Sequence, residues 1–231
     1  MRIISIRKGF ASDHSSTSYE FLAIDRTLDK KARAAVASLS SRAHPTPRSV
    51  SFIYHADGYD IPGGWEPLMI NYYDVMYSES YGWWQLVIAF PLYPQQQEEL
   101  MAYAFDGVED MGVDISIYQE KAVVTIHCRL EYFGPNDHEP WKAYYDEDDQ
   151  DDLEAEPDFK TDDSLLIMLA KIREQLMKGD YRALYEVWLK YAYPEDEEED
   201  HEDEWPKPPK PKEQNEGNEI IEEFAGMLEL I

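Results

Sequence analysis

Tyr19-Glu20-Phe21-Leu22-Ala23-Ile24-Asp25-Arg26 opens a stretch that closes on Trp83-Trp84-Gln85-Leu86-Val87-Ile88-Ala89-Phe90-Pro91. At its start Tyr19, Phe21 and Ala23 fall at period two, the mark of a strand. At its end Trp84 to Phe90 is a continuous apolar run bounded by Gly82 and Pro91, which suits a strand buried on both faces. Between them Val50, Phe52 and Tyr54 alternate with Ser51 and Ile53 and predict another strand. Asp25 to Ser41 reads as a helix capped by Thr27, with Leu28, Ala32, Ala35, Val36 and Leu39 at helical spacing, and Pro45 and Pro47 forbid its continuation. Trp65 to Met76 carries Leu68, Met69, Tyr72, Tyr73 and Met76 at helical spacing and predicts a helix with an aromatic face.

Outward from this stretch, Ile4 and Ile6 alternate with Ser5 and Arg7 as a short strand, and Ser12 to Ser18 is a small, polar loop. Pro94 begins a helix running to Tyr103. Val113, Ile115 and Ile117, then Val123, Thr125 and His127, read as a hairpin turning at Gln119-Glu120-Lys121, without an Asn-Gly signal. Leu165, Met168, Leu169, Ile172 and Leu176 form one helix capped by Asp162 or Asp163. Gly179 closes it, and Asp180 caps a second with Tyr181, Leu184, Tyr185, Trp188 and Leu189, an αα-hairpin. Ile220, Ile221, Phe224, Met227, Leu228 and Ile231 make a last amphipathic helix, too short to be stable alone.

The expected fold is α+β: a mixed or antiparallel sheet with packed helices over residues 1–140, plus a helical C-terminal part. Residues 141–160 read as an acidic linker, 161–193 as the αα-hairpin, 194–217 as an acidic and Pro/Lys-rich linker, and 218–231 as a helix packing back on the core.

The chain has 231 residues, 43% of them hydrophobic and 13% aromatic, enough for a packed core. Its single cysteine, Cys128, excludes an intramolecular disulfide and a cysteine-cluster metal site. The charged start is unlike a signal peptide, and no apolar run approaches the roughly 18 residues that span a bilayer. A soluble, cytoplasmic protein is expected. The net charge of -27 is uneven: residues 1–56 hold nine Lys/Arg against four Asp/Glu, and residues 146–231 hold nine against twenty-nine. Such a charge disfavours bare nucleic acid and anionic membranes, leaves a basic or nucleic-acid-associated protein as partner, and lets the basic first quarter pair with the acidic tail within one molecule or between two.

At Tyr19 to Leu28, Leu39 to Ala43, Thr46-Pro47, Tyr54-His55, Leu68-Met69, Tyr72 to Asp74 and Trp83 to Pro91, the chain resembles a family of uncharacterised bacterial proteins. Gly179-Asp180-Tyr181-Arg182-Ala183-Leu184-Tyr185 and the closing helix resemble the same family, over about two-thirds of the chain. The resemblance implies no activity. It implies a protein partner, a SWIM zinc-finger protein by genomic association. The Asp13-to-Ser18 loop departs from the family pattern, and the Pro-rich linker here is richer in lysine.

Candidate chemistry is sparse. Asp13-His14-Ser15-Ser16 has the residue types of nucleophilic catalysis, but a hydroxyl-rich turn satisfying its own backbone is the better reading. His55, Asp57 and Asp60 could place an imidazole and two carboxylates at the mouth of a sheet for hydrolase-like or metal-assisted work. A strand-end histidine bonded to a loop turning on Gly58 competes with that. No dedicated metal loop is recognisable and no cofactor is called for. His127 and Cys128 face opposite ways on one strand, so they form no dyad. Tyr72, Tyr73, Tyr77, Tyr81, Trp83 and Trp84 could form a stacking or partner surface, though no lysine or arginine accompanies them and core packing is the stronger reading. The acidic runs Asp146–Asp152 and Glu195–Glu204 solvate the chain or imitate a phosphate backbone.

These readings rank as a non-catalytic adaptor or assembly subunit, then an enzyme with a site around His14, His55, Asp57 and Asp60, then an acidic nucleic-acid mimic.

Overall fold

A computed structural model describes residues 17–54, 60–130, 164–192, 207–212 and 216–229. Seven strands form one antiparallel sheet: β1 (Thr17–Leu22), β2 (Ser49–Tyr54), β3 (Val75–Ser80), β4 (Trp83–Pro91), β5 (Phe105–Asp106), β6 (Gly112–Tyr118) and β7 (Lys121–Cys128). Their order is β2-β1-β3-β4-β7-β6-β5, with β4 at the centre. Six α-helices are described: α1 (Lys30–Ala37), α2 (Glu66–Asn71), α3 (Pro94–Met101), α4 (Ser164–Met177), α5 (Arg182–Tyr191) and α6 (Asn218–Ala225). This is an α+β chain.

Strand alternation sorts the core into two layers. On one face Phe21, Phe52, Met76, Val87, Ala89 and Val123 pack with Leu28 and Val36 of the α1 region and with Leu68 and Met69 of α2. On the other, Tyr77, Leu86, Ile88, Phe90, Val124 and Ile126 pack with residues of α4, α5 and α6. Leu86 to Phe90 is buried residue by residue, as its continuous apolar run requires. Leu86, Val87, Ile88 and Phe90 each contribute about 1.5–3 kcal/mol by this burial. In α6 Ile220, Ile221 and Phe224 are buried, and Leu130 and Leu228 form a further β-bridge beyond it.

Two elements differ from the sequence expectation. The helix from Trp65 stops at Asn71, and Val75–Ser80 is a strand. Met76 pairs with Phe21 on one side and Val87 on the other, so both edges of the segment find backbone partners, and its apolar residues are divided between the two faces. The first helix starts at Lys30, capped by Asp29, whose carboxylate accepts from Ala32 N at 2.7 Å. It cannot start at Asp25: the Ile24 and Asp25 amides donate to Asp74, and Leu28 N donates to Pro47 O. The short strand β5 is an addition.

The β6–β7 hairpin forms as expected, with Tyr118 opposite Lys121 and Gln119 at φ 59°. The β3–β4 turn is Tyr81-Gly82, both at positive φ (55° and 81°), the backbone that tight hairpins prefer. The Ile4/Ile6 strand, the Ser12-to-Ser16 loop, the caps Asp162 and Asp163, and both acidic runs lie outside the described residues. No helix among the described residues is long and apolar enough to cross a membrane.

Candidate functional site

A polar cluster lies where β1 ends, β3 begins, β4 ends and β7 begins. After β1 the chain bends, and Ile24 N and Asp25 N donate to Asp74 Oδ2 at 2.7 and 3.0 Å. Asp74 stands immediately before β3 and is buried, with its own amide bonded to Leu22 O. From the other face α4 sends Arg173, 2% exposed, whose Nε donates to Ala89 O at 2.7 Å. Its Nη2 meets Asp25 Oδ2 at 2.5 Å and lies 3.8 Å from Asp74 Oδ1. Lys121, at the start of β7, donates Nζ to Met69 O (2.7 Å) and Tyr73 O (3.2 Å), also 3.8 Å from Asp74.

Two cations therefore face two carboxylates, of which Asp74 is buried and Asp25 half in water. Burial pushes the Lys121 ammonium below its ordinary pKa; Asp74 opposes this, while Arg173 and Arg26 add to it. Its Nζ donates to the Met69 carbonyl within the last turn of α2 and to the Tyr73 carbonyl just beyond it, so the arrangement holds the end of that helix in place. The cluster acts as a clamp joining residues 25, 74, 121 and 173, and it suits that role because a buried charge is tolerable only when paired and hydrogen-bonded.

A second polar patch lies on the face shared with α4. Register places Ser18 opposite Glu79 and Glu20 opposite Tyr77, with Ser51 beyond Glu20. Both glutamates are buried. Ser51 Oγ donates to Glu20 Oε2 at 2.5 Å, and Gly82 N donates to Glu79 Oε1 at 2.8 Å.

His14, His55 and Asp57 lie outside the described residues. Asp60 is exposed, and its Oδ1 accepts from the Tyr19 hydroxyl (2.8 Å) and from Ile61 N (2.6 Å). Burial, then Asp60, pushes the Tyr19 hydroxyl upward, so it stays protonated and donates. Among the described residues no group of three or more His, Cys, Asp and Glu is placed to hold a metal.

The aromatic set is divided by the sheet. Tyr73 is enclosed against Phe21, with ring centroids 5.3 Å apart, while Tyr77 and Trp84 meet on the opposite face at 5.7 Å. Tyr72 is half-buried. Trp83 is 39% exposed and carries the Arg129 guanidinium 4.6 Å above its ring. Arg129 also reaches Glu109 at 3.3 Å, and His127 Nε2 lies 2.9 Å from Asp114 Oδ2. Cys128 is fully buried, and burial pushes its thiol up.

The clamp was missed because its four members are far apart in sequence. The available signal was an acid at the very edge of an apolar run, Asp74 before Val75. Comparison with protein-family models, with curated proteins and with solved structures finds no match to this chain.

Proposed function

We propose that the chain is a non-catalytic adaptor that binds a protein partner through the surface around Trp83. The observation that supports it is the stacked Trp83–Arg129 pair, exposed at the start of β4 beside Tyr81, itself 50% exposed. Tryptophan, tyrosine and arginine dominate binding hot spots because they combine large contact area with low entropy loss and directional polar groups. Here they stand on or beside paired strands, so little ordering is needed on association. Glu109 lies against Arg129 and Asp114 against His127, two residues before Arg129, and the chain carries a net charge of -27, which favours a basic or nucleic-acid-associated protein. Membership of the resembled bacterial family, a cytoplasmic location and a SWIM zinc-finger protein as the partner belong to the same proposal.

Capture from native lysate with the full chain tests it, beside Trp83→Ala and, as a distant exposed aromatic, Tyr93→Ala. A stoichiometric protein lost with Trp83→Ala and kept with Tyr93→Ala supports the adaptor. Equal retention by both variants, or no partner for the unaltered chain, refutes it.

A further inference from the structure

Among the described residues several cations stand without an acidic partner. From Arg26 to Arg48 the sequence holds Arg26, Lys30, Lys31, Arg33, Arg42 and Arg48 against the single acid Asp29. Asp29 is committed to the Ala32 amide at the start of α1, and the neighbouring Asp25 to Arg173. Among the described residues Arg26, Lys30 and Lys31 form no ion pair, and all three are exposed. Arg26 donates to the Asn71 carbonyl, which holds its guanidinium beside the end of α2.

Arg26 and Lys31 border a cleft of about 350 Å³ between the first turns of α1 and the end of α2. Its charge comes from Arg26 and Lys31 against the one carboxylate Asp29, which is held by the Ala32 amide; Ala32 and the half-buried Tyr72 give its apolar surface, and Thr27 a hydroxyl without a hydrogen-bond partner among the described residues. That volume lies within the range of small-molecule sites. An aromatic wall beside two cations that form no ion pair among the described residues is complementary to a flat ring that bears an anionic group. We propose that this cleft binds a phosphorylated small molecule with a planar ring, of nucleotide size, with the phosphate on Arg26 and Lys31 and the ring against Tyr72. An acidic peptide shares the anionic chemistry and is an outcome of the test. The proposal does not depend on the adaptor reading, because Trp83 and its neighbours take no part in the cleft.

Isothermal titration of the full chain with ADP, pyrophosphate, adenosine and a decaglutamate peptide decides it. ADP should bind, pyrophosphate more weakly, and adenosine and decaglutamate not measurably. Lys31→Glu, an exposed change with no internal contact to lose, should weaken ADP by about tenfold or more, as the loss of a charge-assisted contact implies. Arg26→Met should do the same, and Lys178→Glu, equal in charge but outside this cleft, should leave the affinity unchanged. No ADP binding, adenosine binding as tightly as ADP, decaglutamate binding in preference to ADP, or Lys31→Glu behaving like Lys178→Glu would each overturn it.

Discussion

Arg173 Nη2 lies 2.5 Å from Asp25 Oδ2 across 148 positions of sequence. The contact ties α4 to the bend after β1. The arginine side chain is 3% exposed and the aspartate 47% exposed, so the two partners differ in what their loss should cost. Arg173→Met leaves Asp74 enclosed with one cation fewer and should destabilise the chain by about 3–5 kcal/mol. Asp25→Asn, half in water, should cost about 1 kcal/mol or less. Urea unfolding measures both, and equal costs would contradict the clamp.

Alkaline stability should rise and then fall. The Lys121 ammonium is held below its ordinary 10.5, chiefly by burial, so the folded chain releases that proton before the unfolded chain does. From the lowered value up to 10.5, this lysine therefore adds stability as pH rises. Tyr103 is pushed from 10.0 up to about 12, chiefly by burial and then by Tyr181 and Glu99, so the folded chain keeps a proton the unfolded chain has lost. Its contribution is lost as pH climbs between those two values. Urea midpoints across this range should lose the early rise in Lys121→Met and part of the later fall in Tyr103→Phe.

The last helix should be part of the cooperative unit. Phe224 is fully buried in the same cluster as Leu86 and Ile88 of β4. Phe224→Ala should cost about 3–5 kcal/mol. Tryptophan fluorescence and far-ultraviolet dichroism should show a single shifted transition. A separate early loss of helix with an unchanged main transition would show that α6 unfolds on its own.

Gln119 occupies the left-handed region at φ 59° in the β6–β7 turn, where a residue with a Cβ is strained. Gln119→Gly should stabilise the chain by about 0.5–1 kcal/mol, because strain relief outweighs the added freedom of the unfolded chain. A lower melting temperature in the variant would count against this turn geometry.

Local pattern alone determined much of this protein. Strict alternation marked β1, β2, β6 and β7, and an unbroken apolar run between Gly82 and Pro91 marked β4 with both faces covered. Helical spacing marked α4, α5 and α6, because an amphipathic face is set by residues three and four apart. Tertiary structure decided the rest. Tyr72, Tyr73 and Met76 match helical spacing, yet Val75–Ser80 became a strand once β1 and β4 offered hydrogen bonds on both its edges. Thr27 had the right chemistry for a cap, yet Asp29 took the role because the bend before it is bound to Asp74. The clamp of Asp25, Asp74, Lys121 and Arg173 depends on four segments meeting at one end of the sheet, and the cleft at Arg26 and Lys31 depends on where α1 settles against α2. Periodicity records which face of an element is apolar. Which charges meet is settled only when distant elements pack, since that packing sets both their separation and the water left around them.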